Sequence, residues 1–455
     1  MANLQQASLL TGLLVLAACG GGVYDTKGLP AGPGTGPGAT CDAGTVLCGT
    51  SCLVESVNTC GDACQTCNGS VPAGAQNACV GITATTHGTC GYRCSDGMLR
   101  CAGGCCGAIA VAAGPAFTCA LLVDGTVRCW GDNAAGQLGT GDTTARSVPA
   151  EVSLSGVSAI GAGVGHACAV VGGGAVRCWG ANASGQATGI SGTTVLVPAA
   201  TPVSSGAIAV AAGASHTCAL LGTGAVRCWG ATGRTGGGTP VAAGATAIAA
   251  GKDHTCALVG GAVQCWGSNA QGQLGTASAA DTSTTPIASG MKHLGAFADQ
   301  TCAATGSSSG QSIDDAIRCW GDSVGGTYLL SSPQRTPAIP LRKANRSTVQ
   351  YAVDLVAAGG HFVCVRNRIE AVECFGANDA GQLGGTPTDA GSTALVPLPV
   401  VTFPAAVSIA AGDAHACAAL ADGRLRCWGA NAAGQLGDGT KTTPGLGILA
   451  VPVGE

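Results

Sequence analysis

The sequence predicts an all-β protein in which one unit is repeated seven times after a small disulfide-rich module. Of the 455 residues, 77 are Gly and 10% are charged, which disfavours long helices and favours strands joined by tight turns. The 27 cysteines indicate an oxidising compartment, because most of them would be idle thiols in a reducing cytosol. Fourteen of these cysteines recur as seven pairs with a mean period of about 50 residues, which is typical of a repeat architecture.

The N-terminal segment is predicted to direct export. The apolar run from Leu9 to Ala18 is too short to span a bilayer and is typical of a signal peptide. It ends in Leu-Ala-Ala-Cys19, which resembles the bacterial lipobox, whose Cys is lipidated and becomes the first residue. We therefore expect residues 1–19 to be a lipoprotein-type signal peptide, although no Lys or Arg precedes the run. Gly20 is not an acidic retention residue, which favours the outer membrane or cell surface. An ordinary signal peptide, which would leave the protein secreted, is the alternative.

A Gly/Pro tether at residues 20–40 leads to a cysteine-dense segment at residues 41–106. This segment holds twelve cysteines and almost no large apolar residues, so cross-links rather than a core must hold it together. Twelve cysteines permit six disulfides, whose connectivity the sequence does not reveal. A metal site at Cys60, Cys64 and Cys67 is the alternative, but a single Cys-x-x-Cys with only His87 nearby favours disulfides and no bound metal.

The remaining residues, 108–455, form the seven units. We interpret each unit as an inner strand, a second strand that enters a tight hairpin, a third strand and a loop. Each unit carries one cysteine in its second strand and one in its third. The pairs are Cys119 with Cys129, Cys168 with Cys178, Cys218 with Cys228, Cys256 with Cys265, Cys302 with Cys319, Cys364 with Cys374 and Cys417 with Cys427.

Turn lengths predict that the two cysteines of a unit lie opposite each other. In the first unit, a three-residue turn from Val123 to Gly125 places Cys119 opposite Cys129, and such a turn favours Gly at its third, left-handed position. The fourth unit has one residue fewer, and a two-residue Gly260-Gly261 turn restores the opposition. Opposed residues at a non-hydrogen-bonded site have Cα atoms about 4.5 Å apart, within disulfide range. We expect seven disulfides; free buried cysteines are the alternative.

Two recurring strings surround each cysteine pair. Ala-Ala-Gly-x-x-His-x-Cys-Ala-Leu leads into the hairpin, and Trp-Gly-x-Asn-x-x-Gly-Gln-Leu-Gly follows it. Gly-Gln-Leu-Gly begins at Gly136, Gly272, Gly381 and Gly434, with a variant at Gly185. The strings resemble the regulator of chromosome condensation repeat family over about residues 108 to 455. The resemblance implies a seven-bladed β-propeller of four-stranded blades.

The resemblance has two gaps and suggests how the ring is closed. Gly-Gln-Leu-Gly is missing after Trp229 in unit three and after Trp320 in unit five. At the C-terminus, the run from Val451 to Val453 echoes a Val-Pro in unit one, and we expect it to supply the closing strand.

Three residue types recur around the hairpin, and each has a structural and a functional interpretation. All six Trp follow the second cysteine, with Phe375 in unit six, and packing between blades explains them better than an aromatic ligand cage. The arginines beside those cysteines are interpreted as stacking on Trp, with a basic ring for an anionic ligand as the alternative. Histidines two places before the first cysteine are spread one per unit, which favours a structural role and no metal. They are Arg128, Arg177, Arg227, Arg318 and Arg426, and His166, His216, His254 and His415. The Ala-Ala-Gly segments are expected to line the central channel.

Unit five carries the most unusual loop of the chain. Its outgoing segment, about Leu329 to Gln350, is the longest insertion and holds four of the 20 Lys and Arg residues. An exposed loop of this kind would attract an acidic partner, whereas a disordered linker is the alternative. We call these residues the basic set: Arg335, Arg342, Lys343 and Arg346.

No catalytic constellation stands out, and we expect neither an enzyme nor a cofactor. The Gly-x-Ser-x-Gly string from Gly306 to Gly310 lies in a Ser/Gly loop and not at a strand-to-helix turn. The net charge of -4 gives no case for nucleic-acid binding. We expect a scaffold that binds an unknown protein partner at the bacterial surface and touches the membrane only through its lipid anchor. A secreted hydrolase on a propeller scaffold and a structural envelope component are the alternatives. The nucleotide-exchange activity that the family name implies is not expected, because export removes the protein from any small nuclear GTPase.

Overall fold

The structure, a computed structural model, describes two compact units. One comprises Met1–Ser95 with Ala102–Cys105 and Glu455, and the other comprises Asp96–Cys101 with Cys106–Gly454. Before residue 98 only short strands are described. From residue 98 on, the described residues are 98–101 and 104–450, with gaps at 237, 277–288, 306–316, 323–333, 341–352, 368–371, 385–392, 401–405 and 444–448. Among the described residues, no helix is long and apolar enough to cross a membrane.

The first unit contains antiparallel strand pairs, β1 with β2, β3 with β4 and β5 with β6. The β5–β6 register places Cys79 opposite Cys90. Cys105 and Cys106 are both disulfide-bonded. The strands up to the start of the propeller are β1 (Thr45–Cys48), β2 (Ser51–Val54), β3 (Thr59–Cys60), β4 (Gln65–Thr66), β5 (Ala75–Val80), β6 (Thr89–Cys94), β7 (Leu99–Cys101) and β8 (Gly104–Cys106).

The second unit is an all-β propeller of seven antiparallel sheets, blades 1 to 7, in which each blade is one continuous segment of chain. Blade 1 comprises β9 (Ala108–Ala113), β10 (Phe117–Leu122), β11 (Val127–Gly131) and β12 (Arg146–Val152). Blade 2 comprises β13 (Ala159–Ala162), β14 (His166–Val171), β15 (Ala175–Gly180) and β16 (Val195–Ala200). Blade 3 comprises β17 (Ala207–Ala212), β18 (His216–Leu221) and β19 (Val226–Gly230). Single turns of 3-10 helix lie at Gly172–Gly174 and Thr232–Arg234.

Blades 4 to 7 repeat the same strand order. Blade 4 comprises β20 (Ala245–Ala250), β21 (His254–Val259) and β22 (Ala262–Gly267). Blade 5 comprises β23 (His293–Phe297), β24 (Gln300–Ala304), β25 (Ile317–Gly321) and β26 (Gln334–Pro340). Blade 6 comprises β27 (Val353–Ala358), β28 (Phe362–Asn367), β29 (Val372–Ala377) and β30 (Thr393–Val400). Blade 7 comprises β31 (Ala406–Ala411), β32 (His415–Leu420), β33 (Leu425–Gly429) and β34 (Leu449–Ala450). The first strand of each blade contacts the first strand of the next, and β31 contacts β9, so the inner strands close a ring.

The hairpin register follows the turn counting, and the seven expected disulfides are present. In every blade the two cysteines are directly opposed, with Cα atoms 4.0–4.1 Å apart. The bonds join Cys119 and Cys129, Cys168 and Cys178, Cys218 and Cys228, Cys256 and Cys265, Cys302 and Cys319, Cys364 and Cys374, and Cys417 and Cys427. Free buried cysteines, the alternative, are therefore not found at these positions.

The turns that hold this register have the expected conformations. The third residue of the three-residue turns is left-handed, with φ of 78° at Gly125 and 84° at Gly423. Blade 4 makes the two-residue turn, with φ of 59° at Gly260 and 78° at Gly261.

The outer strands differ from the sequence expectations. Blade 5 has its fourth strand, β26, inside the segment predicted to be a loop, so that prediction was wrong for residues 334–340. Among the described residues, blades 3 and 4 have three strands instead of four, and in blade 3 the fourth place holds a single bridge from Val226 to Val241. In blade 7 the fourth strand is β34, which pairs with β33; the predicted closing residues 451–453 lie outside the described residues.

Side chains and main-chain hydrogen bonds close the ring where blade 7 meets blade 1. The Ala108 N–H donates to the Gly423 carbonyl at 2.8 Å. Leu99, which is 1% exposed, packs in the same apolar cluster as Leu122 of blade 1 and Leu425 of blade 7. The described part of each blade pairs only with strands of its own blade, so no strand is shared across this boundary.

Candidate functional site

The boundary between two consecutive blades is here called a seam and is named by its blades, from seam 1/2 to seam 7/1. At seam 7/1, the buried Trp130 donates its indole Nε1–H to the main-chain carbonyl of Gln435 at 2.8 Å. The same bond, 2.8–3.0 Å long, recurs at seams 1/2, 2/3, 4/5 and 6/7. Trp therefore packs between blades, as predicted, and the Gly-Gln-Leu-Gly string supplies the carbonyl that it binds.

Recurring Asn and Gln side chains hold that carbonyl in place. In blade 1, Asn133 Oδ1 accepts from Leu138 N at 2.9 Å, and Gln137 Oε1 accepts from Ala135 N at 2.8 Å. Both side chains are buried, and equivalent bonds recur in blades 2, 4, 6 and 7. Sequence reasoning noted the recurrence but missed this role. The Asn and Gln side chains accept hydrogen bonds from N–H groups of their own loop and so fix its conformation. The main-chain carbonyl of the Gln is then available to the Trp of the next blade.

The two units that lack Gly-Gln-Leu-Gly change the next seam in different ways. In blade 3, Trp229 and Gly233 are four residues apart, whereas Trp130 and Gly136 of blade 1 are six apart. The buried Nε1 of Trp266, across seam 3/4, has no hydrogen-bond partner in the described part of the chain. At seam 5/6 blade 6 carries Phe375, which has no N–H to donate. Across seam 3/4, Arg234 Nε lies 3.2 Å from Asp253 Oδ1.

A cavity of about 580 Å³ runs along the propeller axis and is lined by the inner strand of every blade. The Ala-Ala-Gly segments line it, as predicted, with Ala112, Ala211, Ala249, Ala357 and Ala410 all on its wall. Small side chains at these positions follow from the convergence of seven strands on one axis. The inner-strand residues on this wall are apolar. The charged residues that line the cavity lie in the loops at one end.

That end, here called the channel mouth, is formed by the loops after the inner strands and is laced by main-chain bonds from one blade to the next. The N–H groups of Val164, Ala214, Lys252, Gly360 and Asp413 donate to carbonyls of the following blade at 2.7–3.2 Å. These bonds join the loops at five of the seven seams, so the side chains between them are held on a rigid rim.

Charge is unevenly distributed around the channel mouth. Blades 1 and 2 present Pro115 and Val164, which is 42% exposed, whereas blades 4 to 7 present Lys252, Asp299, Asp322, His361 and Asp413. Burial raises the pKa of the Asp299 carboxyl, as do the neighbouring Asp253 and Asp322 carboxylates, while Lys252 and a bond from Gln273 Nε2 (2.9 Å) act in the opposite direction. A carboxyl group whose pKa is raised by burial and by neighbouring carboxylates marks the channel mouth as a candidate binding site.

The other residues predicted from the sequence are placed as follows. Cys19, Arg342, Lys343 and Arg346 lie outside the described residues, and Arg335 lies in β26. Arg128 Nη2 lies 3.0 Å from Glu151 Oε2 of the neighbouring outer strand, so this member of the arginine series is engaged within its own blade. Within the described ranges, no group of three or more His, Cys, Asp or Glu side chains is placed to hold a metal ion.

The chain resembles known proteins in its repeats and its fold. The regulator of chromosome condensation (RCC1) repeat matches residues 108–137, 157–186, 207–234, 245–273 and 406–435, and a second form of it matches residues 124–170. A Drosophila melanogaster protein, Regulator of chromosome condensation, is 38% identical over 101 residues, a match that covers 20% of this chain and 18% of the fly protein. The chain thus spans less than a fifth of that relative's length.

Solved structures with the same architecture include Prp20p of Saccharomyces cerevisiae, studied with its binding to Gsp1p and histones. Its TM-score is 0.59 at 21% identity, over 73% of this chain and 86% of that one. Human WBSCR16 gives a TM-score of 0.59 at 23% identity, over 71% of this chain and 93% of that one. At these identities the likeness establishes the propeller fold.

Proposed function

We propose that this chain, which carries regulator of chromosome condensation repeats on a seven-bladed propeller, is an exported, lipid-anchored scaffold that binds a protein partner. The observation that carries the proposal is the channel mouth: a rigid rim with an apolar arc on blades 1 and 2 and a charged arc on blades 4 to 7. Elsewhere the repeats use their recurring polar residues to join blades. The rim loops differ from blade to blade in charge, and variable loops on a rigid scaffold suit recognition.

The two arcs define the partner surface that would fit. Val164 and Pro115 offer apolar contact, and the carboxylates of Asp299, Asp322 and Asp413 favour a cationic group beside it. Interfaces typically combine such an apolar centre with a charged edge that sets specificity. The basic set on blade 5 is the second candidate contact, and it would favour an acidic region of the same or another partner.

The two candidate contacts are distinguished by matched variants. A partner is first captured by cross-linking on intact cells and identified by mass spectrometry. We expect Asp299→Asn with Asp322→Asn and Asp413→Asn to weaken its binding about ten-fold at low salt and less at high salt, because the loss is electrostatic. The variant with Arg335, Arg342, Lys343 and Arg346 all changed to Ala tests the other contact by the same titration. Unchanged affinity and salt dependence in both variants would contradict both locations.

The proposed anchor has its own test. We expect Cys19→Ser to move the protein from the membrane fraction to the soluble fraction, because the acyl chains are attached through the Cys19 thiol. Fractionation and immunoblotting of both proteins measure this, and Cys41→Ser in the disulfide-rich segment is the matched control that keeps the membrane location. A Cys19→Ser variant that still sediments with membranes would contradict lipid anchoring.

A binding role is proposed in preference to three others. A hydrolase would need a paired acid and base or a nucleophile in one cleft, whereas the inner strands that line the central cavity contribute only apolar residues to its wall. A structural envelope component would give no specific cross-linked partner in the capture experiment. Guanine-nucleotide exchange requires a GTPase in the same compartment, which the proposed export removes.

A further inference from the structure

Six of the seven seams use one of two kinds of buried contact. At the start of the second strand, one side chain of each blade meets the residue before the first cysteine of the following blade. Where the first residue is His, the second is Thr; where the first is Phe, the second is Ala. The His–Thr pairs are His415–Thr118, His166–Thr217, His216–Thr255 and His254–Thr301, with Nε2 to Oγ1 distances of 2.7–2.9 Å.

The Phe–Ala pairs occupy the same place without polar atoms. Phe117 and Ala167 lie in one buried cluster at seam 1/2, and Phe362 and Ala416 lie in one buried cluster at seam 6/7. Each ring, His or Phe, lies against the glycine that ends the inner strand: a Cβ on Gly114 would meet Phe117 Cε1 at 2.0 Å, and one on Gly412 would meet His415 Cε1 at 2.3 Å. The remaining seam, 5/6, pairs Gln300 with Val363, both fully buried. The two contacts are therefore alternative fillings of one site.

Hydrogen bonding fixes the histidine tautomer at three of the four His–Thr seams, those with Thr118, Thr217 and Thr301. Thr118 Oγ1 donates its only proton to the Gln435 carbonyl at 2.9 Å, so it must accept from His415 Nε2–H. Thr217 and Thr301 make the same bond to Gln186 and Gln273. Nδ1 of all four histidines is buried with no partner among the described residues. A second proton on the imidazole would thus sit on a buried nitrogen that has no hydrogen-bond acceptor among the described residues.

We propose that acid loosens the propeller at seams 7/1, 2/3, 3/4 and 4/5, where His–Thr pairs join the blades, and not at seams 1/2, 5/6 and 6/7. Blades 3 and 4 are then flanked on both sides by acid-sensitive seams, and blade 6 is flanked on both sides by insensitive ones. The response is therefore set seam by seam, by whether a His–Thr pair or another pair fills the site.

The electrostatic surroundings support the direction of this effect. Burial lowers the pKa of His166 and His254 to about 3 and of His216 and His415 to about 4, from 6.5. Among the described residues, the charged or titratable groups that act on these rings are His216 on His166 and His254, and Asp253 and Arg234 on His216. Asp253 raises the pKa of His216 and Arg234 lowers it. The unfolded chain therefore binds more protons below pH 6.5, and stability is lost as the pH falls from 6.5 towards 3–4.

Hydrogen exchange on the full, oxidised chain tests where the ring loosens. Exchange is measured by mass spectrometry at pH 7.0 and pH 5.0, about 1.5 units below the unfolded pKa, and is corrected for intrinsic rates. At pH 5.0, each buried neutral His then lowers the equilibrium constant between the closed and the opened form of its seam about thirty-fold. We expect β18 and β21 to lose protection at pH 5.0 and β28 of blade 6 to keep it. Equal losses in all three strands would overturn the proposal.

Pair exchange tests the cause with the chain's own alternative contact. His166→Phe with Thr217→Ala copies the Phe117–Ala167 pair into seam 2/3, and Phe117→His with Ala167→Thr makes the reverse change at seam 1/2. From the pH dependence of the urea midpoint, the first variant should take up about one proton fewer on unfolding near pH 5, and the second about one more. An unchanged proton uptake in both variants would overturn the proposal, and the two opposite signs keep the test decisive where one variant folds poorly.

Discussion

Reduction of the propeller disulfides is expected to unfold the protein. Six of the seven bonds have a sequence separation of 9 or 10 and Cys302–Cys319 one of 17. In the chain-entropy model, each bond stabilises the folded state by about 2.5–3 kcal/mol. Seven such bonds together exceed the roughly 5–15 kcal/mol that separates a typical domain from its unfolded chain. Because the cysteines are at most 9% exposed, the reductant must be added under partly denaturing conditions. Tryptophan fluorescence during urea titration, with and without reductant, measures the effect.

Two bonds of unequal span separate chain entropy from lost packing. Cys256–Cys265 has a sequence separation of 9 and Cys302–Cys319 one of 17. Changing both cysteines of either pair to Ala removes similar buried sulfur, but the wider loop should cost about 0.5 kcal/mol more. Equal urea midpoints for the two double variants would show that packing, not loop closure, sets the loss. A reduced wild-type protein that keeps its native fluorescence would contradict the larger claim.

Gly437→Ala is expected to disrupt the buried contact that joins blade 7 to blade 1. Gly437 has φ of 72°, and a Cβ there would lie 2.7 Å from Trp130 Nε1. The substitution therefore adds left-handed strain of about 1 kcal/mol and pushes the indole away from the Gln435 carbonyl. Losing that buried bond adds about 1–3 kcal/mol, so we expect the free energy of unfolding in urea to fall by about 3 kcal/mol in total.

Gly206→Ala is the matched control for this prediction. Gly206 has φ of 78°, and a Cβ there meets nothing within 4 Å. The control shares the backbone strain and lacks the collision, so it should lose only about 1 kcal/mol. If the two variants unfold at the same urea concentration, the contact between Gly437 and Trp130 does not stabilise seam 7/1.

The inner part of each blade could be predicted from the sequence, because two markers fix it. The cysteines set the register of the second and third strands, because each turn must have a length that keeps the two cysteines opposite each other. The third residue of the three-residue turns in blades 1, 2, 3 and 7 was expected to be left-handed Gly, and it is, at Gly125, Gly174, Gly224 and Gly423. The Ala-Ala-Gly segments were placed on the channel for a steric reason that needs no alignment.

From the residues alone the outer strands were interpreted as loops, because they carry no such marker; only the resemblance implied a fourth strand. They contain proline, as at Pro149 in β12, Pro198 in β16 and Pro399 in β30, and proline usually argues against a strand. In this fold, however, each is the edge strand of its blade, where the missing N–H faces away from the sheet.

The seam contacts were missed for another reason. The Thr before the first cysteine was visible in the sequence, but its partner His lies in the preceding unit, about fifty residues away. Only the ring geometry shows that the end of one unit's pattern meets the start of the next. Once that adjacency is known, the His–Thr and Phe–Ala correspondence can be read along the chain.

The seven disulfides of the propeller each join neighbouring strands of a single blade, and none of these seven crosses a seam. The blades are therefore cross-linked individually and are held to one another by non-covalent contacts. A protease that cuts an inter-blade loop would leave no covalent link between the two pieces of the propeller, which would separate under denaturing, non-reducing electrophoresis. Such a cut would leave each blade internally cross-linked, and the lifetime of the whole propeller would depend on how slowly the inter-blade loops are cut.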